Sequence, residues 1–266
     1  MRPNLSQITL FVLLILTACA DSKNQKEKPN VESKTTIGTS FETSTFELLE
    51  SNCGENDCSK VTINYPSFGG NSTFNQTLNK GIQTTIQSQV ANYVMTGSKN
   101  ESIEELSAKF IQGYEDFTNE FPEVKSKWSV DINYKVTHQH QDFVSLRLTT
   151  VSYTGGAHAN TEVAFNNYNS AAEAINDFDF FFYDKEQLKD IAEKEFRSSL
   201  KIGAEKSLAD AGYIFDDNSF SLPKEFGFTD QGLVLFYNNY EIASYSEGFT
   251  DLLIPYEALA TNYRFN

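Results

Sequence analysis

Three histidines, His138, His140 and His158, are the whole imidazole complement of this 266-residue chain. His138 and His140 stand two apart, so on a strand they share one face and could chelate zinc if a third ligand approached across the sheet. The spacing brings no carboxylate to orient either ring, so both are expected as core or hydrogen-bonding residues, with no metal and no cofactor. His158 closes the run Tyr153-Thr154-Gly155-Gly156-Ala157-His158. There the glycine pair supplies a backbone turn that side chains would obstruct, and the histidine can order it.

The carboxylates offer less. Ile214-Phe215-Asp216-Asp217 superficially looks like the Asp-Asp motif of carbohydrate deacetylases, which also need metal-binding histidines downstream, and no histidine follows His158. Asp177 and Asp179 stand among Phe178, Phe180, Phe181 and Phe182, where a carboxylate could be buried, although loop or cap positions account for them as well. The chain contains no Gly-x-Ser-x-Gly elbow and no phosphate-binding glycine loop. No catalytic constellation is complete.

The cysteines address the protein. Arg2 precedes the apolar run Ile8–Leu16, and Leu16-Thr17-Ala18-Cys19 resembles the bacterial lipobox. A charged start, a short apolar core and small residues before a cysteine describe a secretory signal over 1–18, too short to span a bilayer, cleaved to leave Cys19 as a lipid-modified N-terminus. The protein is therefore expected in the cell envelope outside the cytoplasm, held to a membrane by the Cys19 lipid. Cys53 and Cys58 remain as an even pair and are expected as a disulfide closing a small loop.

The formal net charge is −15, with 39% hydrophobic residues, 22 Phe and 13 Tyr. Such a chain can build a core, but it repels phosphate backbones, which argues against nucleic acid and favours a cationic partner. Residues 19–40 are polar and charged and read as a tether.

Folded structure is expected from Phe41. Val61–Tyr65 alternates like a strand and should stop at Pro66. Phe74, Leu78, Ile82, Ile86, Val90 and Val94 recur every four residues behind Asn71-Ser72, one face of an amphipathic helix. Ser102 and Glu105 form a capping box for a second helix with Ile103, Leu106, Phe110 and Phe117 on its apolar face. Trp128, Val130, Ile132, Tyr134 and Val136 share one strand parity, which continued would put His138 and His140 on the buried side. Gln141-Asp142 turns into a partner strand with Val144, Leu146 and Leu148. Val163 and Phe165, a helix over Lys185–Leu200, and late strands at 226–228, 233–237 and 252–254 complete the pattern. The class is α+β, two sub-domains of antiparallel strands packed with amphipathic helices, 41–158 and 159–266, sharing a surface near His158.

Three segments carry a resemblance: Tyr153–His158, Phe228–Ala243 and Ile254–Leu259. With them, 41–158 resembles the domain of unknown function that precedes the catalytic part of a peptidoglycan deacetylase (DUF4163, PdaC-like). Residues 159–266 resemble the C-terminal domain of a lysozyme-sensing anti-sigma factor (DUF3298, RsiV-like). Residues 166–178 lack the threonine-glycine-lysine turn that the family often has there. The resemblance implies binding more than chemistry: a non-enzymatic module for a basic protein such as a lysozyme, or for peptidoglycan. Tyr153, Gly155, Gly156, His158, Tyr240, Glu241 and Tyr245 are the candidate ligand-binding residues. The alternative is a cell-wall glycan hydrolase or deacetylase-type enzyme using a histidine or carboxylate site.

Overall fold

The computed structural model describes residues 40–51, 53, 58–96 and 100–265. The expected signal segment, Cys19 and the expected tether before Ser40 lie outside the described residues. Strand β1 (Phe41–Leu49) pairs antiparallel with β2 (Lys60–Phe68), and Cys53 and Cys58 are disulfide-paired in their connection, with Cα atoms 5.2 Å apart. β2 runs past Pro66, where the sequence pattern ends it. Beyond Asn64 it has only β1 as a partner, so half its backbone groups need no ladder bond and a proline fits.

Helices α1 (Thr73–Ala91) and α2 (Ile103–Glu120) follow. Ser72 caps α1 by accepting from the Asn75 amide, and Ser102 with Glu105 closes the expected capping box on α2. The helices carry the chain back across the sheet. The next strand, β3 (Ser129–Gln139), consequently lies parallel to β2, the exception in a sheet otherwise antiparallel. β4 (Phe143–Tyr153) returns as a long hairpin, and β5 (Asn160–Asn169) and the two-residue β6 (Ala174–Ile175) complete a six-stranded sheet in sequence order. The sheet thus passes residue 158 unbroken, and the described residues pack as one compact unit.

One face of this sheet buries Val61, Ile63, Val130, Ile132, Tyr134, Val144, Leu146 and Leu148 against Leu78, Ile82, Ile86 and Val90 of α1 and Leu106 and Phe110 of α2. The other face receives a second core. Helix α3 (Lys185–Ser199) lays Leu188, Ala192 and Phe196 on a three-stranded antiparallel sheet of β7 (Glu225–Thr229), β8 (Gly232–Tyr237) and β9 (Thr250–Pro255), closed by the short α4 (Tyr256–Leu259). Phe143 belongs to this core while its neighbour Val144 belongs to the first, so β4 is the wall between them.

A buried polar chain docks the two sheets. The Phe228 amide donates to Ser145 Oγ (2.9 Å), Ser145 Oγ donates to Asn167 Oδ1 (2.7 Å), and Asn167 Nδ2 donates to the Phe226 carbonyl (3.0 Å). Every member is satisfied, which is the condition under which a buried network specifies packing. Beside it, Gly227 lets β7 approach so closely that a Cβ there would come within 2.1 Å of the Phe165 ring. Glycine is required here for space.

Candidate functional site

The turn between β4 and β5 has the backbone that its glycines suggested. Gly155 and Gly156 take φ of +99° and +103°, a region side chains rarely occupy, and the Tyr153 hydroxyl donates to the Gly156 carbonyl at 3.0 Å. The chain then presents His158 on the surface, its Nδ1 3.1 Å from the Ala159 carbonyl. The ring stacks on Tyr245 with centroids 4.2 Å apart and planes 18° apart, and Tyr240 lies 5.5 Å beyond Tyr245. The Tyr245 hydroxyl donates to the Ala159 carbonyl, so the stack is fixed at ring and edge. Tyr240 is 71% exposed and so is Ile214, whose amide donates to the Ile242 carbonyl.

Asn238 holds the 238–249 loop in place. Its Nδ2 donates to the Val163 carbonyl and its Oδ1 accepts from the Val163 amide, both at 2.9 Å, so one carboxamide serves β5 as a short extra strand would. Glu241 accepts from the Asn238 amide at 2.8 Å and so orders the loop, with its side chain exposed at the rim. Glu225 accepts from the Phe165 amide. Burial pushes its carboxyl above the ordinary range, the Phe165 bond opposes this, and Glu241 and Glu162 add to the rise. Burial likewise raises the Tyr213 phenol, with Glu247 adding to it. The result is an aromatic rim in which His158 and Tyr240 are exposed and Tyr153 and Tyr245 half-buried, bordered by carboxylates. Of the seven predicted residues, Gly155, Gly156, His158, Tyr240 and Glu241 are exposed, Tyr153 and Tyr245 are half-buried, and Glu241 also orders the loop. Sequence reasoning missed Asn238 and Glu225. The Asn-Asn pair ending a strand pattern was the available signal for the former.

The other two histidines go elsewhere. A bulge between Val136 and His138 inserts Thr137, so His138 pairs with Ser145 rather than continuing the parity of Val136, which pairs with Leu146. His138 is therefore turned from the helix-covered face, where simple alternation puts it, to the face of the second core. There it packs on Phe143 and Tyr256, with its Nδ1 3.0 Å from Asp230 Oδ1. His140 packs on Phe143 and Phe265, and its Nδ1 accepts from the Asp142 amide at 3.2 Å. These rings stand at the Phe143 end of β4 and His158 beyond its Tyr153 end, about 30 Å apart at the usual rise per strand residue. Among the described residues no group of three or more His, Cys, Asp or Glu could hold a metal.

Asp177 caps the turn Phe178–Phe180 by accepting from the Asp179 amide, and both carboxylates are exposed. Asp216 and Asp217 lie in an exposed turn. No helix among the described residues is long and apolar enough to cross a membrane.

Two family models match the chain. Residues 52–161 match the family described as "Deacetylase PdaC", and residues 179–257 match "Protein of unknown function (DUF3298)", so the chain carries a domain similar to each. The first match spans the disulfide loop to the start of β5, and the second spans α3 through β9. No curated protein matches. Two crystal structures share the fold. A DUF3298 family protein from Pseudomonas aeruginosa PAO1 is 21% identical with a TM-score of 0.59, over 85% of this chain and 95% of that one. A DUF3298 family member from Bacteroides fragilis NCTC 9343 is 18% identical with a TM-score of 0.59, over 86% and 95%.

Proposed function

We propose that the protein is a non-enzymatic binding module of the cell envelope, lipid-anchored through Cys19, that grips a basic protein ligand of lysozyme-like character at the rim after β4. The observation carrying this reading is the surface stack of His158, half-buried Tyr245 and Tyr240 beside the positive-φ Gly155–Gly156 turn. Rings already stacked lose little entropy on binding, and an open tyrosine face can take a lysine or arginine at about 0.5–1 kcal/mol. The flanking Glu241 and Glu247 and the −15 charge of the chain suit the same partner and would speed its approach.

Deacetylase is part of one matching family's description, but carbohydrate deacetylation of the kind that uses a metal needs converging ligands. Here each histidine is committed to a different neighbour, which supports binding over chemistry.

The test is a pull-down with the fragment from Phe41 onward, which contains both cores, against lysozymes and peptidoglycan at low and high salt. A basic protein should be retained at low salt, released as salt rises, and lost in Tyr245→Ala. Retention indifferent to salt and to Tyr245, or no retention, refutes the reading. So does turnover of peptidoglycan or glycan esters and amides, with or without zinc, that mutation of His138, His140 or His158 abolishes.

A further inference from the structure

On the face of β3 and β4 away from the helices, Asn133, Lys135, Thr137, Arg147 and Thr149 line a cleft of about 370 Å³. In a chain of net charge −15 the residues lining this cleft include two cations, of which Arg147 is paired with the Asp251 carboxylate and Lys135, among the described residues, is not. Lys135 and Arg147 are direct cross-strand partners, positions whose Cβ atoms stand roughly 5 Å apart and where like charges are unfavourable. Nothing in the packing forces a lysine at this exposed position, and among the described residues it makes no ion pair.

Arg147 is held firmly. Its Nη1 donates to Asp251 Oδ2 at 3.0 Å, and its guanidinium lies 5.1 Å from the Phe236 ring centre and 5.7 Å from that of Phe165. One edge of the guanidinium is anchored, leaving further N–H donors for the cleft. In the next row Asn133 pairs with Thr149, and Asn133 Oδ1 is buried with no hydrogen-bond partner. The Asn133 carboxamide and the Thr137 and Thr149 side chains line the cleft beside the guanidinium and the ammonium.

We propose that this cleft binds an oxyanion, the carboxylate or phosphate group of an acidic ligand, bridging Lys135 and Arg147. An anion between them converts a repulsion into two charge-assisted hydrogen bonds. The proposal is independent of the aromatic rim, which selects a cationic surface.

The test is a titration of the fragment from Phe41 onward with inorganic phosphate and, separately, acetate, with sodium chloride holding ionic strength constant. It is read by amide NMR shifts and by thermal unfolding. Saturable shifts confined to residues 133–137 and 147–149, with a rise in melting temperature, are expected from at least one of the two. Response to phosphate alone assigns a phosphate ligand, and response to acetate alone assigns a carboxylate. Lys135→Gln should weaken the apparent affinity about two- to fivefold, the range of one partly exposed charge contact. Arg147→Gln should weaken it further. Because Arg147 also packs on two rings, Lys135→Gln is the deciding variant if Arg147→Gln unfolds. Absence of saturation with both ions, or equal binding in Lys135→Gln, overturns the proposal.

Discussion

Replacing Gly227 with alanine adds one methyl group where β7 crosses β5. That Cβ would sit 2.1 Å from Phe165 Cδ1 and 2.8 Å from Cε1 and Cγ, closer than real Cβ atoms come to a neighbour. The ring has little room to yield. Phe165 is buried, in contact with Phe236 at 6.5 Å and beneath the Arg147 guanidinium. Overpacking of this kind costs about 1–3 kcal/mol. Gly227 is not in a left-handed conformation, so alanine regains about 0.4–1 kcal/mol by restricting the unfolded chain. The net expectation is a loss of about 1–2 kcal/mol, or roughly 2–8 °C in melting temperature for a domain of this size.

Urea unfolding of the fragment from Phe41 onward should move to lower midpoint at unchanged slope. Phe165→Ala alone removes the ring, Cγ and Cδ1 included, and should cost about 3–5 kcal/mol. Combined with Gly227→Ala it also removes the clash, so the double variant should be more stable than the sum of the singles by about 1 kcal/mol. A Gly227→Ala protein within about 0.5 kcal/mol of the parent, or strict additivity of the pair, would refute the argument that this close approach decides how the sheets dock.

Three further outcomes are expected. Cys19→Ser should abolish metabolic labelling by a fatty-acid analogue, and undiminished labelling would remove the lipid anchor from the account. Gly155→Val should lower stability by about 1–3 kcal/mol, because a β-branched residue pays steeply for φ near +99°, and an unchanged melting temperature would contradict it. Glu225 has a raised carboxyl pKa in the folded protein, so the folded state holds that proton more tightly than the unfolded chain. Its contribution is present below the ordinary glutamate range and is lost as pH rises through the folded value. Glu225→Gln keeps an acceptor for the Phe165 amide and should therefore gain stability relative to the parent as pH rises through that window. Parallel pH–stability curves would speak against a buried carboxylate at this position.

Much of the local structure was legible. The four-residue recurrence from Phe74 to Val90 is the buried face of α1, the Ser102–Glu105 capping box begins α2, and the alternation from Val130 to Tyr134 faces the helices as expected. The glycines of the Tyr153–His158 turn announced a positive-φ backbone, and the turn has one. These features depend on neighbours a few residues away, and for that reason the chain alone carries them.

What the chain could not disclose depends on pairing between distant segments. The alternation through β3 gives no sign that Thr137 is squeezed out as a bulge, because that is decided by how β3 registers against β4, and it sends His138 to the opposite face. The parallel pairing of β2 with β3 follows from where two helices return the chain. Gly227 reads as a mere interruption in a strand until Phe165 is seen above it. The Tyr245 hydroxyl meets the Ala159 carbonyl across 86 residues of sequence, and Lys135 faces Arg147 only because the hairpin closes in that register. Residue types and short-range periodicity specify helices, strands and turns. Which side chains stand beside one another is specified by strand register and sheet docking, long-range choices determined by the packing of the whole chain.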